Sequence, residues 1–525
     1  MSSPSSAALP HLGELTERQR KLLFWACFIA LVATSFCFII RALLLGTWGD
    51  QFGWNETQKG QILGVGLWPF AVSIIVFSLM IDKIGYGRSM VFAFVCHMLF
   101  AAVTIMAPGM DNPDAIYYAF WVGSLLGSLA AGTVEAVINP VVAAMYPREK
   151  VKWLSILHAG WPGGLVLGGI LVIATGGADW RLQIGFVFIP TILYGVAMLG
   201  RKFPVCERVS AGVSYRDMLR EFGVVVAFIA ACLIFLEVGR AFFFPVWLTW
   251  ALIIGSTVAY GLATGFAPGR WLFIVLVLIM MPLATTELGT DAWITELMKP
   301  EMERLGLAAG WVLVYTSALM MVLRLFAGSI VHRMSPLALL AISSVLAMAG
   351  LVALSASVGV MILLAATLYG IGKSFFWPAM LGIVSEQFPK GGAMTLNGVA
   401  GLGMLAVGTV GAPFLGYIQD SSVNTRLRLE QPVIHSQVAD EKRWVFGAYQ
   451  AVVPERVAAL PLPEDREQVE RAADLGRKDA LRTVAIFPAI MLVAYLLLML
   501  YFRSKGGYKP VIIGAGSHGS PPAGG

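Results

Sequence analysis

Five ionisable residues stand inside long apolar runs of this chain: Arg41, Glu135, Glu287, Asp291 and Lys373. A charge at the centre of a membrane-crossing helix costs about 2.5–3.5 kcal/mol on insertion scales. Such groups are retained where they face a wet cavity or one another. Glu135 is a carboxyl that can load and release a proton, and Lys373 is a cation that can pair with it or hold an anion. Glu287 and Asp291 are four residues apart, on one helical face, and suit sugar hydroxyls or a cation. The Arg41 guanidinium suits a carboxylate or phosphate, or snorkels to the interface. Asn139 and His158 are donors and acceptors for a solute, or glue between helices. Trp293 and Trp377 offer faces to a sugar ring, or belong to packing and the interfacial belt.

The elements that position these residues follow from composition. The chain has 525 residues, 58% hydrophobic and 13% charged, with a net charge of +6. Soluble proteins carry roughly twice that share of charge, so the solvent of the outer surface must be lipid. The modest net charge does not point to nucleic acid. Apolar runs of about 20 residues predict twelve principal spans, near 22–46, 60–82, 88–108, 116–146, 153–176, 182–200, 271–297, 308–331, 336–356, 358–388, 394–418 and 480–502. Two further runs, near 222–238 and 242–264, predict an extra hairpin and fourteen spans in all. Thr16 and Gln19 form a capping box opening the first helix. The basic residues Arg18, Arg20, Lys21, Lys83, Arg88, Arg148, Lys150, Lys152, Arg201, Lys202, Arg333 and Arg503 fall on alternate loops, placing both termini in the cytoplasm. The five cysteines have no metal-ligand or disulfide spacing.

The two halves repeat locally. Gly132, Glu135 and Pro140 in the fourth span match Gly370, Lys373 and Pro378 in the tenth principal span, at equal spacing. Repetition would set Glu135 and Lys373 at equal depth, facing each other across the axis. Asp82-Lys83-Ile84-Gly85-Tyr86-Gly87-Arg88 after the second span resembles the signature loop of the major facilitator superfamily, with a degenerate copy at Arg324, Gly328, His332 and Arg333. Ser78 stands where that signature has glycine, and His332 where it has an acid. The resemblance spans roughly residues 20–505 and implies two pseudo-symmetric six-helix bundles, with the first, fourth, seventh and tenth helices lining a central cavity. The charges named above fall on those four. Glu135 to Pro140 is locally similar to the fourth helix of fucose-permease-like sugar:proton symporters. The resemblance assigns Asp82, Gly85, Arg88, Arg324, Gly328 and Arg333 to gating at the inner face.

The expected organisation is a cytoplasmic segment at 1–21, a six-helix bundle at 22–200, a linker with the hairpin at 201–270, a second bundle at 271–503 with an external loop at 419–478 whose helical stretch Pro463 to Lys478 extends the last span, and a disordered cytoplasmic tail at 504–525. The expected function is secondary active transport of a small polar solute of sugar type, coupled to a proton (or sodium), by alternating access. Glu135, Lys373, Glu287, Asp291, Arg41, Asn139, His158 and Trp377 are the expected substrate and proton residues. One alternative is an organic anion carrier using Arg41 and Lys373. Another is a receptor or scaffold acting through residues 419–478. No phosphate-binding loop, nucleophile elbow or zinc-protease motif is present in the sequence, so neither an enzyme nor a cofactor is expected. The expected setting is a monomer in the plasma (inner) membrane, its partners a small solute and lipid.

Overall fold

A computed structural model describes residues 15–54, 56–290, 310–444 and 447–513, together with Met302 and Gly306. Twelve helices among these residues are long and apolar enough to cross a membrane. The first six are α1 (Glu17–Phe52), α2 (Gln58–Ile84), α3 (Tyr86–Gly109), α4 (Pro113–Met145), α5 (Lys150–Ala174) and α6 (Trp180–Met198). The extra hairpin is α7 (Tyr215–Ala241) and α8 (Val246–Thr264). The second bundle holds α9 (Trp271–Gly289), the shorter α10 (Trp311–Leu325) and α11 (Pro336–Ala356). Next comes α12, in two pieces (Met361–Lys373 and Phe376–Gln387). The bundle ends with α13 (Pro389–Glu430) and α14 (Pro463–Ser504).

Local chemistry explains the ends. The Thr16 hydroxyl accepts from Gln19 N, and the Gln19 side chain accepts from Thr16 N, closing the capping box that opens α1. Gly85 turns α2 into α3 at φ 88°, a conformation that favours glycine. Within the first half, α4 lies on α2 so closely that a Cβ at Gly132 would stand 2.1 Å from the Phe70 carbonyl oxygen. In the second half the repeat-related Gly370 faces Leu319 of α10 at 3.1 Å. Equivalent glycines thus face equivalent helices, and the halves meet where α2 packs on α13 and α5 on α10.

Contacts place both termini on one face. Arg20 stacks on Tyr146 at the end of α4, and Tyr508 donates to Glu386 at the end of α12. The tail is therefore ordered further than the sequence suggested: Val511 N donates to the Glu386 carbonyl, and Gln387 Nε2 to that of Lys509. Residues 514–525, like 1–14, lie outside the described residues.

Two helices outrun the bilayer. Each of α13 and α14 has 42 residues, about 63 Å at 1.5 Å per residue, against a hydrocarbon core of about 30 Å. Beyond the membrane they pack together, tied by Arg426 to Asp479 at 2.8 Å. Pro463–Ser504 agrees with the sequence expectation that residues 463–478 extend the last span. Between them sit a helix (Pro432–Val438) and an antiparallel hairpin, β1 (Ala439–Trp444) with β2 (Gly447–Val452), Ala439 opposite Val452. Leu427, Ile434, Val438, Leu460, Val469 and Ala472 form its small core. The segment read as a polar loop is thus a folded cap on the face away from the termini.

The hairpin α7–α8 packs through α7 onto α13, where Phe222 meets Gly398. Its two ends cross at Gly223 and Gly269, where a Cβ on Gly223 would stand 2.2 Å from Gly269 Cα.

Candidate functional site

Proline creates the site. A proline has no N–H, so the carbonyl four residues earlier loses its helical donor, and inside a membrane that carbonyl needs another. Pro140, Pro162 and Pro378 orphan the carbonyls of Ala136, His158 and Ser374 in this way. Asn397 Nδ2 of α13 donates to Ala136 O at 2.9 Å. Arg324 of α10 serves the other two, with Nη1 to His158 O at 3.0 Å and Nε to Ser374 O at 2.6 Å. Both helices are interrupted there, α5 at His158–Ala159 and α12 at Ser374–Phe375.

The third arm of Arg324 closes on a carboxylate. Its Nη2 meets Glu287 Oε1 at 2.7 Å, with 1% and 4% of the two side chains exposed. Glu287 stands in a π-helical turn, Thr285–Gly289, just after Pro282 of α9. Such turns recur at functional sites. The other Glu287 oxygen accepts from the Trp377 backbone N–H at 3.2 Å.

A second chain of hydrogen bonds reaches Glu135. Asn139 Nδ2 donates to Glu135 Oε2 at 2.7 Å and to Asn397 Oδ1 at 3.3 Å. With its amide nitrogen so used, Asn139 Oδ1 accepts from His158 Nε2 at 3.0 Å, which fixes the imidazole proton on Nε2. The backbone of that same His158 holds Arg324. One chain of contacts therefore runs Glu135–Asn139–His158–Arg324–Glu287, across both halves.

This network borders a cavity of about 30 Å³ lined by Glu135, His158, Trp161, Glu287, Arg324 and Trp377, with Phe70 and Met404. Ligand pockets are roughly ten or more times larger, so this cavity is too small to hold a sugar. A larger groove of about 540 Å³ lies between α3 and α6. It is apolar, and Arg201 is its one charged lining residue, so it is not where this chemistry lies.

Several expectations are corrected. Glu135 and Lys373 do not pair: among the described residues, Glu135 takes its hydrogen bond from Asn139. Lys373 is buried with Nζ 5.2 Å from the Tyr369 ring centroid. Equal depth on related helices did not bring the side chains together, because each helix's rotation points them to different neighbours. Arg324, expected with the inner loop, lies at the centre, where it meets the orphaned carbonyls. Arg41 does not snorkel: it is 2% exposed. Asp291 and Trp293 lie outside the described residues. Asn397 was missed by the sequence reading; the signal available was an amide in a glycine-rich apolar run.

The face bearing the termini is shut by its own contacts. Lys150 Nζ, at the start of α5, meets Glu207 Oε2 of the linker at 2.6 Å and the Ser385 carbonyl of α12 at 3.1 Å. His332, from the degenerate signature copy, lies 3.2 Å from Glu149, which also accepts from Lys152 and Trp153. The Lys152 hydrogen bond, then that from Trp153, holds the Glu149 carboxyl below its ordinary value. Gly328 rests on the Lys152 side chain. Asp82 forms an ion pair with Arg208 of the linker, whereas Arg88 and Arg333 are exposed. Of the inner-face set, Asp82 thus makes a contact to the linker, beside those of Lys150 and Glu149.

A sequence profile described as Major Facilitator Superfamily matches residues 23–295, just over half of the chain. The chain belongs to that superfamily. Comparison with curated proteins finds no match. Solved structures of the superfamily share the fold at low identity. The chain is similar to FucP in its outward conformation, at 14% identity and a TM-score of 0.57, covering 90% of this chain and 99% of that one. It is similar to the proton:xylose symporter XylE, at 13% identity and 0.58, covering 93% and 96%. It also resembles a bacterial homologue of the human lysosomal transporter Spinster, at 15% identity and 0.55, covering 95% and 100%. The superfamily is one of membrane transporters, and the fold is its two bundles with the α7–α8 hairpin added between them.

Proposed function

We propose that this superfamily member is a secondary active transporter that moves a small polar solute of sugar type together with a proton. The observation that carries the reading is Glu135. It is a buried carboxyl at the interface of the halves, bonded to an amide rather than to a cation. Burial makes its charge costly, and binding a proton removes that cost. The amide and imidazole of Asn139 and His158 connect it to the Arg324–Glu287 pair, so a change of charge at Glu135 reaches the contact that ties α10 to α5. Solute hydroxyls are matched by the same polar groups, Asn139, His158 and Glu287, with Trp377 beside them. FucP is named as a fucose:proton symporter of E. coli and XylE as a proton:xylose symporter, which agrees with this reading. The basic residues on the face of the termini support a cytoplasmic side for that face, and the plasma membrane is the proposed setting.

Alternating access then means that the Lys150, Glu149 and Asp82 contacts release as the opposite side closes. The test is uptake of labelled hexoses into proteoliposomes under an imposed pH gradient, comparing wild type with Glu135→Gln. Gradient-driven accumulation in wild type, reduced in the variant to exchange without accumulation, is the expected result. Equal accumulation in both would remove Glu135 from the coupling step.

A further inference from the structure

Arg41 and Arg324 are both buried guanidiniums seated at helix breaks, yet they differ in what satisfies them. A guanidinium carries five N–H donors and a permanent charge. Arg324 spends its donors on two carbonyls and a carboxylate. Arg41 has one long contact, Nη2 to the Gly66 carbonyl at 3.4 Å, and its Nε has no partner. Among the described residues no carboxylate pairs with it. An uncompensated buried charge is among the costlier features a fold can carry.

The surroundings are shaped to hold it. Helix α2 is interrupted at 65–67, where Pro69 cannot donate to the Val65 carbonyl. Gly66 lies in that break, and a Cβ there would stand 1.9 Å from Arg41 Nη2. Irregular backbone inside a membrane is tolerated where it lines a cavity or is buried in protein, and broken helices are where transporters bind solutes. The position also fits. Phe38, three residues before Arg41, packs on Trp161, and Phe70, four residues after Gly66, stacks on the same ring. Phe70 and Trp161 border the central cavity. Arg41 thus lies about one helical turn beyond the aromatic wall, on the side away from the termini.

We propose that Arg41 is an anion subsite, and that the transported solute is a hydroxylated carboxylate of sugar-acid type whose carboxylate docks on this guanidinium. The inference rests on the transporter reading above and narrows its substrate class. A singly charged carboxylate neutralises one guanidinium, whereas a doubly charged phosphate would leave a negative charge uncompensated beside it. The polyol part of the solute faces the aromatic wall and the polar groups beyond it.

The test uses the purified full chain and reads binding as a shift in thermal unfolding, which needs no proton gradient. Glucose is compared with glucuronate and gluconate, on wild type, Arg41→Gln and Gly66→Ala. Wild type should be stabilised by a sugar acid at concentrations where glucose has little effect. Apparent affinity for the acid should fall about tenfold to hundredfold in Arg41→Gln, the range of one charge-assisted hydrogen bond. It should fall also in Gly66→Ala, which fills the cradle without touching the charge. Without ligand, Arg41→Gln should melt no lower than wild type, because it removes an unpaired charge, whereas a structural arginine predicts a lower melting temperature. The inference is overturned if glucose and the acids act alike, if neither acid stabilises wild type, or if Arg41→Gln binds the acid as wild type does. Gradient-driven accumulation is scored separately. Acid binding without coupled uptake would defeat the proton reading and leave the subsite standing, and coupled uptake of neutral hexose alone would do the reverse.

Discussion

Replacing Arg324 by methionine removes three attachments at once, and the structure allows the cost to be apportioned. Glu287 loses the guanidinium that meets its Oε1 at 2.7 Å, a loss of about 3–5 kcal/mol when one member of a buried pair is deleted. The carbonyls of His158 and Ser374, already orphaned by Pro162 and Pro378, lose their substitute donor, at about 1–3 kcal/mol each. The expected total, roughly 5–11 kcal/mol, is comparable with the whole stability of a typical domain, so the single variant should unfold readily. Arg324→Met combined with Glu287→Met removes both members of this pair. It should recover about 3–5 kcal/mol of the single variant's loss and retain the carbonyl penalties and the loss of the Trp377 N–H acceptor. A double-mutant cycle completed with Glu287→Met, read by denaturant or thermal unfolding of the purified chain, isolates this coupling. A coupling below about 1 kcal/mol would refute the reasoning, since it would mean that Glu287 and Arg324 do not depend on each other. A double variant as unstable as the single one would say the same.

Three other perturbations follow from named contacts. Lys150→Met removes the bonds to Glu207 and Ser385 that join the first bundle to the linker and the second bundle. Cys206 lines a small pocket together with Lys150, Glu207 and Ser385, and its thiol is held above the ordinary value, chiefly by burial and then by the Asp82 charge. Labelling of Cys206 should therefore be slow in wild type and faster in the variant by about tenfold or more, the equivalent of one buried charge-assisted bond; an unchanged rate would dismiss Lys150 as a latch. Gly132→Ala should destabilise by about 1–3 kcal/mol, because its Cβ meets the Phe70 carbonyl at 2.1 Å, whereas Gly46→Ala, with nothing within 4 Å, should not; equal melting temperatures would contradict the close approach of α4 and α2. Glu149 is held below its ordinary value by Lys152 and Trp153, with His332 adding to the effect. Its contribution is therefore complete above about pH 4.3 and lost as pH falls through the lower folded value. It is small for a partly exposed group. Glu149→Gln should flatten only that acid limb of the melting curve, and a change confined to alkaline pH would reverse the sign.

Much of the architecture was legible because it follows from solvent. Apolar runs with few charges have one stable solution in lipid, the helix, so run lengths returned the spans, the hairpin and the fourth-helix repeat. Boundaries failed where a helix leaves the membrane. Residues 419–430 are polar because they continue α13 into water, and polarity alone did not distinguish that from a loop. The candidate site was legible as a set of residue types, since charges are costly in apolar runs wherever they occur. Its pairings were not. Glu135 and Lys373 share a repeat position but not a contact. Arg324 looked like part of a surface motif and is buried at the centre.

The sequence by itself determined that this chain spans a membrane many times, that its halves repeat, and that Glu135, Glu287, Lys373 and Arg41 had to be housed. It also contained Pro140, Pro162 and Pro378, each certain to orphan a carbonyl in its own helix. Which donor would answer each one was decided by the tertiary structure alone. Asn397 reaches Ala136 across 261 positions of chain and Arg324 reaches His158 across 166. Helix formation is a local property of a segment in lipid, whereas the meeting of two polar groups depends on the rotation and depth at which separate helices pack, and those are set jointly by every contact between them.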